Sequence, residues 1–331
     1  MARIAFPCSR PKRLPACIVA GTVFAWLACA GSANTAPPIV PAASDPATIL
    51  CKVDDAPITH GDLTLLLKEQ NQKDPSAAVR IASVQVLIQR ELALRSLKEL
   101  GGAALAQVIQ QRTEEAERTA AKRGLSLDDQ AAQLGCDGPS LHRKLAWQAA
   151  WASFLRSRLN DTNLRRYFAR HHSRYDGTKL RLSQIFLTPD PSTTSPNTPA
   201  EKLERLAKDL RALQPSAEPF ATAAKEHSQS PSRDRGGEIG WIEAYGDVPP
   251  AVSEAVWSAE PGSIIGPVES PLGFHLLYVH ERQAGEKTID EIADQTLLRS
   301  DAASDLFQAL VQRQPKPEIE WVDTTLQPPE L

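Results

Sequence analysis

Residues 180–187 read Leu180-Arg-Leu-Ser-Gln-Ile-Phe-Leu187, and their alternation of apolar and polar side chains predicts a β-strand. Apolar residues at helical spacing and glycine-rich turns follow this strand along the chain. The patterns predict two helices, a strand, a third helix and a closing strand, in that order, at 201–213, 220–227, 239–242, 251–257 and 273–279. Strands and helices interspersed in this way predict a compact α+β domain over residues 178–283.

The segment before this domain has an almost wholly helical pattern. Apolar residues recur every three or four positions from residue 59 to residue 175, as amphipathic helices require. Glycines mark the predicted helix ends at 101–102, 124 and 135. A short strand is predicted over 49–53, so residues 49–177 form a predicted helical domain.

The last segment of the chain is predicted to return to the helical domain. One more amphipathic helix is expected at 288–312, and a final strand at 317–322. Pairing of this strand with residues 49–53 would join the two ends of the chain in one small sheet. Residues 284–331 are therefore predicted to complete the first domain.

The N-terminal segment has the composition of a secretory signal peptide. The first 44 residues contain no Asp or Glu, and four basic residues precede an apolar stretch at 16–30. Ala28-Cys29-Ala30 offers a cleavage site of the A-x-A type. We therefore expect a signal peptide over 1–30, a Pro-rich linker over 31–48, and export to the periplasm. Two alternatives stay open, an uncleaved N-terminal anchor and a lipid attached to Cys29.

The overall composition narrows the class of protein. The chain has 331 residues, 42% of them hydrophobic, which excludes wholesale disorder. A formal net charge of −3 disfavours nucleic acid as a partner. The sequence has no C-x-x-C pair, no His/Cys cluster with zinc spacing and no phosphate-binding loop. We therefore expect no metal, nucleotide or other cofactor.

Two further features leave alternatives open. Beyond the predicted signal peptide only Cys51 and Cys136 remain, and they could form one disulfide or stay as buried thiols. Residues 143–174 contain a marked excess of Arg and Lys over acids. This basic segment is interpreted as a solvated helix face, with contact to an acidic partner or to anionic membrane lipids as the alternative. Within it, Trp147, Trp151 and Phe154 share one helix face and are interpreted as core.

The α+β domain resembles the parvulins, a family of peptidyl-prolyl isomerases. Five stretches match the family in its order, namely Leu182-Ser-Gln-Ile-Phe-Leu187, Phe220-Ala-Thr-Ala-Ala-Lys-Glu-His-Ser228, Arg235-Gly-Gly-Glu-Ile-Gly-Trp241, Gly262-Ser-Ile-Ile-Gly-Pro-Val268 and Gly273-Phe-His-Leu-Leu277. The exported helical region and the returning C-terminal strand are similar to the layout of SurA-like foldases. The resemblance implies a small antiparallel sheet flanked by helices.

Four residues take the catalytic positions that the resemblance implies. Parvulins carry two facing histidines with a Cys or Asp nearby. His275 stands at the second histidine, and Gln184 replaces the first. Ser230 stands where Cys or Asp is expected, and Ser270 supplies the hydroxyl upstream of His275. A glutamine can donate and accept hydrogen bonds as a neutral imidazole does, but it does not titrate near neutral pH.

The substrate-binding residues also follow from the resemblance. The family lines its proline pocket with Met or Leu and Phe, whereas this chain places the smaller Val248 and Val252 there. Trp257 is expected to replace one aromatic wall. Ile239 and Phe274 complete the predicted substrate-binding set.

The function that the resemblance implies is an exported peptidyl-prolyl isomerase. Its clients would be unfolded or proline-containing polypeptides, secreted or destined for the outer membrane. Such an enzyme binds the proline ring and stabilises the twisted amide without a covalent intermediate. The substitutions at Gln184 and Ser230 predict weak activity. The alternative is a chaperone or assembly factor that binds peptides and has lost catalysis. The sequence does not predict an oligomeric state.

Overall fold

The computed structural model describes residues 45–189, 198–213 and 216–328. They divide into two compact units, the first ending at residue 163 and resuming at 299, the second covering 164–298. The predicted signal peptide, and the linker up to residue 44, lie outside the described residues. No helix in the described ranges is long and apolar enough to span a bilayer.

The described elements alternate helices with short strands. In chain order the strands are β1 Ile49–Val53, β2 Ala56–Thr59, β3 Lys179–Leu187, β4 Glu238–Ile242, β5 Ile264–Ser270, β6 Gly273–Gln283 and β7 Ile319–Trp321. The helices are α1 His60–Glu69, α2 Ala77–Ala121, α3 Leu127–Gln133, α4 Gly138–Arg158, α5 Asp161–His171, α6 Pro199–Ala212, α7 Ala217–His227, α8 Pro250–Val256 and α9 Thr296–Arg313. The predicted α+β class is confirmed.

The first unit contains a three-stranded sheet in the order β2-β1-β7. Cys51 of β1 faces Trp321 of β7, so the predicted return of the last strand is confirmed. Strand β2 was not predicted from the sequence, because Ala56–Thr59 has only four residues and includes a proline. β2 lies at the sheet edge, where proline is tolerated.

The last residues of the predicted linker are hydrogen-bonded to the start of α1. The backbone N–H of His60 donates to the carbonyl of Thr48, and the N–H of Gly61 donates to the carbonyl of Pro46, both at 2.8 Å. Both donors belong to the first turn of α1, where backbone N–H groups have no partner within the helix. The end of the linker therefore satisfies part of the α1 N-terminus.

Glycine ends the first half of α2 as the sequence predicts. Gly102 interrupts the helix with a φ of 50° and a ψ of −140°, a conformation that favours glycine. Gly124 and Gly135 also have positive φ and follow the ends of α2 and α3. The predicted helix at 288–312 is shorter than expected, because Thr288 and Glu291 cap a separate 3₁₀ turn before α9 begins at Thr296.

The aromatic stripe on α4 is core, as predicted. Trp147 stacks on Trp151 with ring centroids 5.6 Å apart, and Trp151 stacks on Phe154 at 5.9 Å. Phe307 of α9 meets both tryptophans edge-on, at 5.8 and 5.9 Å. Edge-to-face and stacked rings are favourable aromatic geometries. The aromatic residues of α4 therefore pack α9 against the helical unit.

The two cysteines of the described chain are buried free thiols. Cys51 lies in the core around β1, whereas Cys136 lies in a separate core beside α3 and α4. Burial raises the pKa of the Cys51 thiol to about 11. The sequence left a disulfide and two buried thiols as alternatives, and the structure shows the buried thiols.

A buried ion pair links α4 to α1. Arg143 donates from Nε to Asp62 Oδ1 at 3.0 Å and from a terminal nitrogen to Oδ2 at 2.7 Å. The Asp62 side chain is only 9% exposed, and Thr59 donates to it as well.

Other cations of the predicted basic segment are also paired. Lys144 lies 3.2 Å from Glu69, and Arg165 lies 2.6 Å from Asp290. These pairs neutralise part of the positive charge that the sequence concentrates over residues 143–174.

The second unit is built on a four-stranded antiparallel sheet in the order β4-β3-β6-β5. Strand β5 was not predicted from the sequence, because Gly266 and Pro267 interrupt its alternation at a bulge. Two cores cover opposite faces of the sheet. The α8 core includes Leu182, Leu277, Val252, Val256 and Trp257, and the α6–α7 core includes Ile185, Leu276, Leu203 and Phe220.

Replacing Arg143 by Met is expected to lower the free energy of unfolding of the chain by about 2 kcal/mol, because Asp62 stays buried without its cation. Urea titration followed by circular dichroism measures this loss. The matched control is Arg112→Met, since Arg112 and Glu115 form an exposed ion pair whose loss costs ~0–1 kcal/mol. Equal effects of the two substitutions would show that the Arg143–Asp62 pair does not anchor α4.

Candidate active site

Strand alternation sorts the residues of β3 and β6 between the two faces of the sheet. Phe186 is paired with His275, and Gln184 with Leu277. Residues directly opposite on antiparallel strands point to the same face. Leu277 belongs to the α8 core, so His275, Gln184 and Phe186 share the face that α8 covers.

The four predicted catalytic residues form one hydrogen-bonded chain. Ser270 Oγ lies 2.7 Å from His275 Nε2, and His275 Nδ1 lies 3.1 Å from Gln184 Oε1. Gln184 Nε2 in turn donates to Ser230 Oγ at 3.1 Å. Strands β5, β6 and β3 and the loop after α7 each contribute one member. The structure thus brings Ser270, His275, Gln184 and Ser230 together, and their catalytic role remains a prediction.

The hydrogen-bonded chain fixes the tautomer of the histidine. Because Gln184 uses its amide nitrogen on Ser230, its carbonyl oxygen faces His275 and accepts a hydrogen bond from Nδ1–H. The other ring nitrogen, Nε2, then accepts from the hydroxyl of Ser270. Burial lowers the pKa of His275, a residue that is 3% exposed. The imidazole is therefore neutral at neutral pH.

A run of alternating serines after α7 supports Gln184. Ser228 Oγ accepts from the backbone N–H of Ser230 and of Phe186, both at 3.1 Å. Ser232 lies 3.0 Å from Ser230 through their hydroxyls. Of these three serines, only Ser230 was predicted from the sequence as a site residue. The spacing Ser228-Gln-Ser-Pro-Ser232 is the signal that could have found the other two serines, since short polar side chains at alternate positions favour local turns.

Glycine closes this loop against β3. Gly237 has a φ of 81°, and a Cβ atom there would collide with the carbonyl oxygen of Gln184. The backbone N–H of Gln184 donates to the Gly237 carbonyl at 2.9 Å. A side chain at this position would push the loop away from Gln184, so glycine is required for the close approach.

Four of the five predicted substrate-binding residues lie in or against the α8 core, on the face that holds His275, and Phe274 does not. Val252 and Trp257 are inside the α8 core, 1% and 4% exposed, and Ile239 and Val248 pack on its edge half-buried. Phe274 points to the opposite face and packs against the α6–α7 core. The structure therefore does not bring Phe274 to the face that holds His275, because adjacent residues of a strand alternate between faces.

The chemistry available at this site is neutral hydrogen bonding. A hydroxyl, an imidazole and a primary amide can each donate and accept, and none is an anion or cation at neutral pH. Across the described ranges no three His, Cys, Asp or Glu residues are grouped so that they could hold a metal ion. The arrangement can therefore orient and polarise a neutral polar ligand such as an amide.

Comparison with known proteins assigns the domain that carries this chain of contacts. Residues 185–281 match the family model described as Rotamase, the PPIC-type PPIase domain. The second unit carries a PPIC-type domain. The matched residues include His275, Ser230 and Ser270, and they begin one residue after Gln184.

Relatives of the PPIC-type domain extend the comparison. The chain is 32% identical over 113 residues to the chaperone SurA of Idiomarina loihiensis and 37% identical over 113 residues to the chaperone SurA of Yersinia pestis. Each match covers 34% of this chain and 25% of the relative, so it spans about a quarter of the SurA proteins. The peptidylprolyl isomerase PrsA of Bacillus anthracis is similar over 69% of this chain and 94% of its own, with a TM-score of 0.35 and 15% identity.

The stability of the chain is expected to fall as the pH drops below about 6.5, the ordinary histidine pKa. Because folding lowers the pKa of His275, the unfolded state takes up a proton at this side chain at a higher pH than the folded state does. The stabilisation from the neutral ring is therefore complete above about pH 6.5 and is lost as the pH falls below it. Urea titrations at pH 8 and pH 5 measure this loss for the full chain. In His275→Gln, which does not titrate, the loss between the two pH values is expected to be smaller; an equal loss would contradict a buried neutral imidazole.

Proposed function

We propose that this protein is an exported peptidyl-prolyl isomerase with weak activity. The observation that carries the proposal is the chain of contacts from Ser270 through His275 and Gln184 to Ser230, within a PPIC-type domain. Its clients are proposed to be unfolded secreted or outer-membrane polypeptides, held at their X–Pro bonds. Export rests on the signal-peptide composition of residues 1–30.

The proposed reaction needs only non-covalent groups. An X–Pro bond rotates over a barrier of about 18–20 kcal/mol, because resonance keeps the amide planar. Rotation interrupts this resonance and leaves a lone pair on the proline nitrogen and a more ketone-like carbonyl. A site that hydrogen-bonds the twisted amide more strongly than the planar one lowers the barrier. His275 and Gln184 are the proposed partners of the twisted amide, and the serines hold them in place.

Weak activity follows from the way Gln184 is held. Its carbonyl oxygen is engaged by His275 and its amide nitrogen by Ser230, so both ends of the side chain have partners in the protein. To contact substrate, Gln184 must share or exchange one of these hydrogen bonds. An exchange of this kind costs part of the stabilisation that the twisted amide gains.

A crevice in the helical unit favours a second candidate function, peptide binding without catalysis. Its lining combines apolar residues with charged residues of both signs. The apolar set includes Ile58, Leu65, Leu66, Leu87, Leu94 and Trp147, and the charged set includes Asp62, Glu69, Glu91, Arg90, Arg143 and Lys144. Concave apolar surfaces with a few polar groups are typical binding sites. A chaperone would use this crevice for apolar side chains of an unfolded client.

Wild-type protein is expected to accelerate cis–trans exchange of a short X–Pro peptide, and His275→Ala is expected to abolish the acceleration because it removes the centre of the contact chain. NMR exchange spectroscopy with the full chain measures both rates. Gln184→His restores the paired histidines of the parvulin pattern and is expected to be faster than wild type. Trp241→Ala, an exposed aromatic of the same unit, is the matched control.

A folded wild-type protein that gives no acceleration would contradict the isomerase proposal. Suppression of aggregation of an unfolded client then tests the second candidate. If His275→Ala and wild type suppress aggregation equally while neither accelerates exchange, the chain is a peptide-binding chaperone. If a substitution of an apolar crevice residue, Leu94→Gln, also leaves the suppression of aggregation unchanged, the helical unit does not hold the client.

A further inference from the structure

Phe186 is an aromatic side chain without a place in either core of the second unit. It is half-buried, and it is absent from the residues that build or pack against the α8 and α6–α7 cores in the described chain. Its neighbours on β3 behave differently, since Ile185 and Leu187 both pack into the α6–α7 core. Hydrophobic packing therefore does not account for Phe186.

The ring of Phe186 lies against the candidate active site. Its centroid is 4.9 Å from the centroid of the His275 ring, with the two planes inclined by 42°. Its edge is so close to Gly273 that a Cβ atom there would stand 3.0 Å from Phe186 Cε2. The next residue toward β5, Leu272, is an apolar side chain that is 61% exposed. The Phe186 ring thus borders His275 on the β3 side, and the exposed Leu272 lies in the β5–β6 turn next to Gly273.

The backbone of Phe186 is held by the same loop that holds Gln184. The Phe186 N–H donates to Ser228 Oγ at 3.1 Å, and its carbonyl accepts from the Gln229 N–H at 2.8 Å. Ser230 of this loop accepts from Gln184. The ring is therefore presented from a fixed strand, and little order has to be gained when a ligand packs on it.

The residues expected to line a proline pocket cannot supply this wall. Val252 and Trp257 are buried inside the α8 core, and Phe274 faces the other side of the sheet. Val248 is small and half-buried. Phe186 is the half-buried aromatic residue whose ring lies against His275.

Resting on the proposed isomerase function, we propose that Phe186 is the aromatic wall on which the proline ring of the client packs, with Leu272 extending the apolar surface. The wall that sequence comparison expects from α8 is thus supplied by β3. A proline ring against an aromatic face removes apolar area from water on both sides. Phe186 is then a substrate-binding residue that selects proline over residues of similar size.

The proposal predicts that Phe186→Ala and Phe186→Leu bind a short Ala-Ala-Pro-Ala peptide about tenfold more weakly than wild type, as expected for loss of a buried aromatic contact. Binding of the matched all-alanine peptide is expected to be unchanged. Titration of the full chain with each peptide, followed by NMR, gives both dissociation constants. Phe186→Leu keeps an apolar side chain in place, and Trp241→Ala is the exposed aromatic control.

The outcomes separate this inference from the function on which it rests. Wild type that prefers the proline peptide, with Phe186 variants that keep the full preference, would overturn the aromatic wall and leave the isomerase proposal standing. Wild type that binds the two peptides equally would overturn both. Loss of the preference in both Phe186 variants, and not in Trp241→Ala, supports the wall.

Discussion

The hydrogen bond between His275 Nδ1 and Gln184 Oε1, 3.1 Å long, is the contact on which the second unit's site depends. It joins side chains from the two central strands of the sheet, β3 and β6. Each partner has one further hydrogen bond, His275 to Ser270 and Gln184 to Ser230. Buried polar groups are costly unless they are satisfied, so the members of this chain depend on one another.

The same hydrogen bond joins two groups without net charge. A pair of neutral groups offers hydrogen bonds to an amide without attracting an ion, and burial keeps the His275 ring neutral. Because glutamine replaces a second titratable ring, the charge at this position does not change across neutral pH. Ion pairs lie outside this group of residues, as between Arg143 and Asp62 in the helical unit and between Arg181 and Glu238 in the second unit. The first proposed function therefore rests on amide recognition at the sheet, and the second on apolar binding in the crevice.

Much of this organisation could be predicted from the sequence. Period-two alternation predicted β3 and β6, and the pairing of β7 with β1 followed from the strand patterns at 49–53 and 317–322. The strands β2 and β5 were missed because proline and glycine mask short edge strands. These elements become strands only through their pairing partners, which local patterns do not contain.

The candidate site shows the same division. The resemblance supplied His275, Gln184, Ser230 and Ser270, and the structure brings them together. It did not supply Phe186, because its place opposite His275 depends on the register of β3 against β6. The face of Phe274 could have been predicted, since it is adjacent to His275 on one strand and must point the opposite way.

The most direct test of this account is the protonation of His275, read from its ring nitrogens by NMR of ¹⁵N-labelled full-length protein between pH 6 and pH 8, with His275→Ala for assignment. We expect a neutral ring with the proton on Nδ1 and none on Nε2, and a pKa below the ordinary value of about 6.5. A proton on Nε2 in the neutral ring, or a ring that is charged at pH 7, would contradict the hydrogen-bond chain from Ser270 to Ser230.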